Sequence, residues 1–384
     1  MTDAADTGRK LSDSVVIDRA DLMIVRLPLV SPFETSFGMT RVKEAILARI
    51  ESDGMESYGE CVAEPSPYYS YEYNRQAWDV MHSYLLPSLK GVELHTPADF
   101  ISVTKRVRGH NMAKACIEMA IWDLFARRAG RPLSKVIGGR RTRIECGISI
   151  GIQKTPDALL GVISNSLDAG YRRIKIKIRP GWDTGVLRKV RKSFPDIPLQ
   201  VDANAAYTPS DFTKLGKLDR FGLQMIEQPL DYDDLYGHSL LQRKLSTPIC
   251  LDESIKGPES VRLMSKLGSG RIVNIKAGRV GGLSASLEVH DIAMKSKIPV
   301  WIGGMLETGI GRAFNVALNT LPNVRFPGDT SPSSRYFTRD IITRPFEMNG
   351  SGLMEVPKGH GTGVEVDARE LEKRVVKRKS IDMA

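Results

Sequence analysis

A closed barrel of alternating strands and helices, preceded by a smaller α+β unit, is the fold class this sequence predicts. Three observations carry it. Beyond about residue 140 seven short apolar runs follow one another with helical stretches between them. Charged residues end five of those runs at near-constant spacing. Ahead of them lies a different rhythm, in which strand-like alternation gives way to helical periodicity.

At 384 residues the chain can hold one small domain and a barrel of ~250 residues. With 41% hydrophobic residues it can bury a core of ordinary size. The first fourteen residues, "MTDAADTGRKLSDS", are polar and predict a flexible N-terminus. No apolar run approaches the ~18 residues of a membrane span, and nothing resembles a signal peptide, which predicts a cytoplasmic protein without membrane contacts. Cys61, Cys116, Cys146 and Cys250 are scattered, with no CxxC pair, so they read as reduced core residues rather than a zinc or disulfide framework. The net charge of +10 suits an acidic partner. No nucleic-acid-binding motif accompanies it, so small anionic substrates are the expected partners and nucleic acid is not. The basic segment "LEKRVVKRK" near the C-terminus reads as a solvated tail.

The N-terminal unit spans residues 15–140. "SVVIDRADLMIVRLPLV", the loop "SPFETSFG" and "AILARIESDGMESYGE" read as strands, with Gly54 at a hairpin turn. From Tyr71 to Arg128 the pattern is helical, and Gly130 and Pro132 stop the last helix. The barrel unit follows over 141–344. Its strands are "IECGISI", "RIKIKI", "LQVDAN", "LQMIEQP", "ICLDES", "IVNIKA" and "VWIGGM", with a final strand expected near "NVRFPGD". An open doubly wound sheet would place a glycine-rich phosphate loop after its first strand, where this chain has "GIQKTPDAL".

Lys177, Asp202, Glu227, Asp252 and Lys276 end successive runs at intervals of 25, 25, 25 and 24 residues. In a barrel of βα units this spacing returns the chain to the same height on each strand, at the C-terminal mouth where such folds carry their active sites. A single carboxylate at a strand end is more often a helix cap or a surface ion-pair partner. Five charges in phase point to a site. Asp202, Glu227 and Asp252, from strands 3, 4 and 5, would repel one another without a cation. Hard oxygen donors with no His or Cys favour Mg²⁺, with Mn²⁺ a substitute. Asn204, two residues past Asp202, shares its strand face and supports the shell. Lys177 and Lys276, on strands 2 and 6, would face each other across the cavity. A substrate carboxylate at the metal would then hold its α-carbon between two amines, the geometry for proton abstraction next to a carboxylate.

A free lysine of pKa ~10.4 is protonated at neutral pH and cannot act as a base. Lys175 beside Lys177, and Arg279 three residues after Lys276, are the expected depressing neighbours.

These residues resemble the enolase superfamily, and within it the muconate lactonizing enzyme subgroup with its KxK strand. "SPFETSFG", "KIKIRPG", "VDAN", "IEQPL", "LDES", "NIKAGRVGG", "GGMLETGIGRA" and "GDTSPSSRYF" are similar to the o-succinylbenzoate synthase and N-succinylamino acid (N-acylamino acid) racemase family, over roughly residues 20 to 345. The resemblance implies a modified (β/α)7β TIM-type barrel with an α+β capping domain, completed by the C-terminal residues from about 345 to 384. It implies Mg²⁺ on Asp202, Glu227 and Asp252, an acid/base pair in Lys177 and Lys276, Lys175 as assistant to Lys177, and a dimeric or octameric homo-oligomer. The loop "SPFETSFG" and the segment "GECVAEPSPYYSYEY" would close over the substrate, giving specificity roles to Phe33, Ser36 and Tyr68. Ala277 and Phe314 depart from the family's usual Pro and His. Glu307, in "GGMLETGIG", stands where dipeptide epimerases carry an Asp-x-Asp, and argues against that activity. The expected enzyme is a racemase, a synthase (a lyase) or both. A muconate-type cycloisomerase is the alternative within the fold, and a catalytically silent binding protein the alternative outside it.

Overall fold

The computed structural model describes residues 14–35 and 38–383. The predicted flexible N-terminus, apart from Ser14, lies outside the described residues, and so does Ser36.

The chain opens with three antiparallel strands, β1 (Arg19–Glu34), β2 (Met39–Ser52) and β3 (Met55–Cys61). Asp53 and Gly54 join β2 to β3 with φ of 49° and 72°. Two successive left-handed residues make a type I′ turn, whose twist matches that of the flanking strands, and the Asp-Gly pair favours it. Helix Asn111–Arg128 packs on this sheet and is buried along most of its length. It lies close because Gly59 of β3 has no side chain: a Cβ there would fall 1.8 Å from the Cys116 carbonyl oxygen.

Short β4 (Arg143–Glu145) precedes seven parallel strands: β5 (Gly147–Ile150), β6 (Arg173–Lys177), β7 (Leu199–Asp202), β8 (Ile226–Glu227), β9 (Ile249–Leu251), β10 (Ile272–Ile275) and β11 (Val300–Ile302). They are hydrogen-bonded in chain order. Helices between them, among them Pro156–Asp168, Pro258–Leu267 and Leu283–Lys295, form the outer layer. Most strand residues are buried on both faces, as a parallel sheet under helices requires.

The eighth strand expected near "NVRFPGD" is an irregular segment rather than a ladder. Val324 bridges Val300 at one sheet edge and Gly328 bridges Cys146 at the other. These two contacts close the ring. Pro327 lacks the N–H that a continuous ladder needs, so pairing is confined to single bridges.

After the barrel, β12 (Leu353–Glu355) pairs with β4, and β13 (Val375–Asp382) pairs antiparallel with β1 as the outer strand of the first sheet. The basic C-terminal segment is therefore no solvated tail. Its backbone is held by β1, while residues 376–380 stay exposed. Among the described residues no helix is long and apolar enough to cross a membrane.

Candidate active site

The five in-phase charges meet at the C-terminal ends of the barrel strands. Register explains how. Lys177 pairs with Asp202, and Asp202 with Glu227. Glu227 then pairs with Cys250, so Asp252 lies two residues further along its strand. Val273 pairs with Leu251, which carries Lys276 two residues beyond the level of Asp252. The charges are thus level on three strands and then climb in steps of two. Even steps keep every side chain on the inner face, and such stagger is what a tilted barrel demands.

Lys177 Nζ donates to Asp202 (2.7 Å) and to Asn204 Oδ1 (2.6 Å). Lys175 Nζ lies 2.8 Å from Asp329, 3.1 Å from Glu227 and 3.3 Å from Asp202. On the far side Lys276 Nζ donates to Asp252 (2.8 Å) and to the Tyr69 hydroxyl (2.9 Å). Arg279 contacts Asp252 through Nη1, which also lies 2.9 Å from the Tyr69 hydroxyl. Glu227 accepts from Gln200 (2.6 Å) and Asn274 (2.8 Å) as well. Asn204 and Gln228 hold left-handed backbones, φ 43° and 36°, directly past the strand ends. Such strained residues collect at functional sites.

Burial sets the electrostatics. It pushes the Glu227 carboxyl up to about 8, helped by the charge of Asp202 and opposed by Lys175. Glu253, also buried, is pushed up to about 7 by burial and by Asp252. Asp252 is held low, against burial, by Arg279 and Lys276. Lys276 corrects an expectation. Burial, the largest influence, and Arg279 work against its charge, yet Asp252, Tyr69 and Glu253 together hold its pKa well above the ordinary lysine value.

Several participants lie in segments quoted above but are not among the site residues singled out there. Tyr69, rather than its neighbour Tyr68, reaches Lys276; Tyr68 is 72% exposed. Asp329, from the irregular eighth segment, joins Arg173 (2.6 Å) to Lys175. Glu253 accepts from Asn204 (2.8 Å). The "LDES" run names Glu253, but only its neighbour Asp252 kept the 25-residue phase. Phe33 is half-buried on β1 opposite Thr40, where the Glu34 carbonyl receives the Ile152 N–H just beyond β5 (3.2 Å). Glu307 is buried beside Glu60 of the capping sheet.

Whether the donor set suits a divalent cation can be asked of the residues themselves. Among the described residues no three acidic, imidazole or thiol groups already stand gathered as a cage. Each of the three carboxylates is instead engaged by a lysine. The wider site sets five cations, Arg173, Lys175, Lys177, Lys276 and Arg279, against five carboxylates, Asp202, Glu227, Asp252, Glu253 and Asp329. Glu253 Oε2 is buried without a partner, and Glu227 and Glu253 are both pushed up towards their neutral forms. A hard divalent ion fits this crowd of oxygens, since it would satisfy carboxylates that lysines alone leave strained.

The two sheets are locked together at this end. Glu60 of β3 accepts the Thr308 hydroxyl (2.6 Å) and the Gly311 N–H (3.0 Å) of the barrel. Glu118 of helix Asn111–Arg128 accepts the Leu283 (2.7 Å) and Ser284 (2.9 Å) N–H groups at the start of helix Leu283–Lys295.

Comparison with known proteins gives the same picture. Residues 162–371 match the family profile described as enolase C-terminal domain-like, and residues 19–138 the mandelate racemase / muconate lactonizing enzyme N-terminal domain. An o-succinylbenzoate synthase of Geobacillus kaustophilus is 48% identical over 94% of this chain and 96% of its own. An N-succinylamino acid racemase of Amycolatopsis is 48% identical over 90% of this chain and 93% of its own. The crystal structure of an enolase-superfamily protein from Listeria innocua superposes with a TM-score of 0.93 at 39% identity, covering 96% of this chain and all of that one. With this barrel, this capping sheet and these relatives, the chain belongs to the mandelate racemase / muconate lactonizing enzyme family and is an enzyme of the enolase superfamily.

Proposed function

We propose that the protein removes the proton α to a carboxylate of a small anionic substrate, as an N-succinyl or N-acylamino acid racemase, an o-succinylbenzoate synthase, or both. One observation carries the reading. Lys177 and Lys276 stand on either side of the row formed by Asp202, Glu227 and Asp252, with three strands between them. Relatives bearing both names, each 48% identical, support it.

Asp202, Glu227 and Asp252 would hold Mg²⁺, which when bound supplies positive charge for the second negative charge a carboxylate gains on losing its α-proton, and offsets Asp252 beside Lys276. The lysines do the rest. In racemisation one amine takes the α-proton and the ammonium opposite returns a proton to the other face of the carbon. In dehydration a single lysine takes the proton and passes it to the departing hydroxyl, so that water leaves, while the other lysine remains a cation. Lys175, tied to Asp202, Glu227 and Asp329, keeps positive charge next to Lys177. Arg279, bonded to Asp252, limits how strongly that carboxylate holds Lys276 protonated, which favours the two-base reaction.

The test is α-proton exchange in D₂O with Mg²⁺ and N-succinyl amino acids of each hand, followed by NMR and optical rotation. Racemisation is expected, with Lys177→Ala and Lys276→Ala each losing exchange for one enantiomer by about 10²–10⁴-fold. If no N-acylamino acid exchanges, the o-succinylbenzoate precursor is tried, and failure of both reactions would sink the proposal.

A further inference from the structure

The segment 303–308, which follows β11, is held from two sides. On the barrel side Gly303 and Gly304 allow a close approach: a Cβ would fall 2.3 Å from Asn274 Oδ1 at the first and 2.7 Å from the Asp329 carbonyl oxygen at the second. Three contacts come from the capping unit. The buried Lys43 of β2 donates from Nζ to the Met305 carbonyl (3.0 Å). The Met305 side chain packs into the core of the capping unit. Glu60 of β3 accepts the Thr308 hydroxyl (2.6 Å) and N–H (3.1 Å). Between these anchors Leu306 holds a φ of 57°. A leucine rarely adopts that left-handed backbone, which persists only where the surroundings over-determine it.

Leu306 is half-buried and stands in the wall of a cavity of about 270 Å³ where the capping sheet meets the barrel mouth. The charged residues of that wall balance, Arg41 and Lys43 against Glu44 and Glu64. Lys177 and Lys276 are charged neighbours of Glu64, so the cavity adjoins the two amines. A void of about 150 Å³ already holds a benzene ring. An aromatic side chain therefore has room here against Leu306. Lys43 itself is costly to place: among the described residues no carboxylate lies within ion-pair distance of its buried ammonium. What the ammonium secures is the main chain next to Leu306.

Resting on the proposed N-acylamino acid chemistry, we infer that Lys43 is a positioning residue for substrate selection. Through the Met305 carbonyl it clamps the segment, with Glu60 at the other end, and keeps Leu306 strained and turned into the cavity as an apolar wall for the substrate's side chain. The capping sheet thus acts on specificity through a barrel residue.

The Mg²⁺-loaded enzyme, Lys43→Met, Leu306→Gly and the double variant would be compared on N-succinyl-phenylalanine and N-succinyl-alanine. The kcat/KM ratio of the phenylalanine to the alanine derivative should fall by about fourfold or more in each single variant, the worth of one buried methylene group. The double variant should fall no further than the larger single effect, because Lys43 acts through Leu306. Lys43→Arg, which keeps a donor for the carbonyl, should stay within about twofold of the parental ratio. An unchanged ratio in Lys43→Met, or falls that multiply in the double variant, would overturn the inference. Exchange with the alanine derivative reports separately on the underlying reaction. Urea unfolding of the same four proteins needs no substrate. There Leu306→Gly should shift the midpoint differently in the Lys43→Met background, where the strain is already released, and equal shifts would reject the clamp.

Discussion

Asp329 shows what a single buried charge does at the barrel mouth. Its two oxygens lie 2.6 Å from Arg173 and 2.8 Å from Lys175, so one carboxylate bridges two cations that are almost fully buried. Arg173 and Lys175 both also lie over the Trp301 ring, 4.8 Å from its centre. That contact cannot replace a full negative charge. Asp329→Ala is therefore expected to destabilise the protein by about 3–5 kcal/mol, since it leaves the buried Arg173 without its carboxylate partner. Urea unfolding measures this, and a loss below about 1 kcal/mol would show that water reaches the site freely. Tyr69 acts at the same scale in another way. Its buried hydroxyl, pushed up to about 12 chiefly by burial, stays protonated between Lys276 and Arg279. Tyr69→Phe should lower turnover more than it lowers thermal stability, because the phenyl ring keeps the packing while the contact to Lys276 is lost.

Among the elements, helix Leu283–Lys295 depends on a residue from another part of the chain. Its N-terminal N–H groups are met by Glu118, and Gly282 makes room, because a Cβ there would come within 2.2 Å of the Glu118 carboxylate. Gly282 also holds a φ of 109°, which side-chain-bearing residues rarely adopt. Gly282→Ala should accordingly destabilise by more than 1 kcal/mol, the scale of a glycine penalty reversed. Burial raises the Glu118 carboxyl from the usual 4.5 to about 7. The folded state thus keeps a proton that the unfolded chain has released, and the sign follows: this group's contribution is complete below about 4.5 and is lost as pH rises towards 7. Glu118→Gln removes that dependence. The Tm of the variant should gain on that of the parent as pH rises from 4.5 to 7, and a constant difference would contradict the assignment.

For the whole molecule, the three central carboxylates tie stability to the cation proposed for them. An ion that binds only the folded chain raises stability by about 2.7 kcal/mol at one hundred times its Kd. Chelator-treated protein should therefore gain several degrees in Tm when Mg²⁺ is added. Asp202→Asn should lose most of that gain. An equal gain in the variant would place the ion elsewhere. The capping unit is fastened to the barrel at this same end by Glu60 of β3 and Glu118 of helix Asn111–Arg128.

The sequence by itself determined what depends on period and spacing. Alternating "RIKIKI" marked β6 and put Lys175 and Lys177 on one inner face, and the 25-residue rhythm matched the strand-to-strand register of Lys177, Asp202 and Glu227. Local rules sufficed there, because one βα unit has a fixed length and one strand has a fixed side-chain period. Tertiary structure decided the rest. Barrel stagger lifted Asp252 and Lys276 by steps of two, and Pro327 reduced the eighth strand to two bridges. Folding alone brought Tyr69 and Asp329 to the mouth, since each lies on an irregular segment where no period foretells direction. It also paired the basic end of the chain with β1, a contact between residues more than three hundred positions apart. Proton affinity is likewise a tertiary property: Lys276 is held protonated by the distance to Asp252, which spacing along the chain does not record.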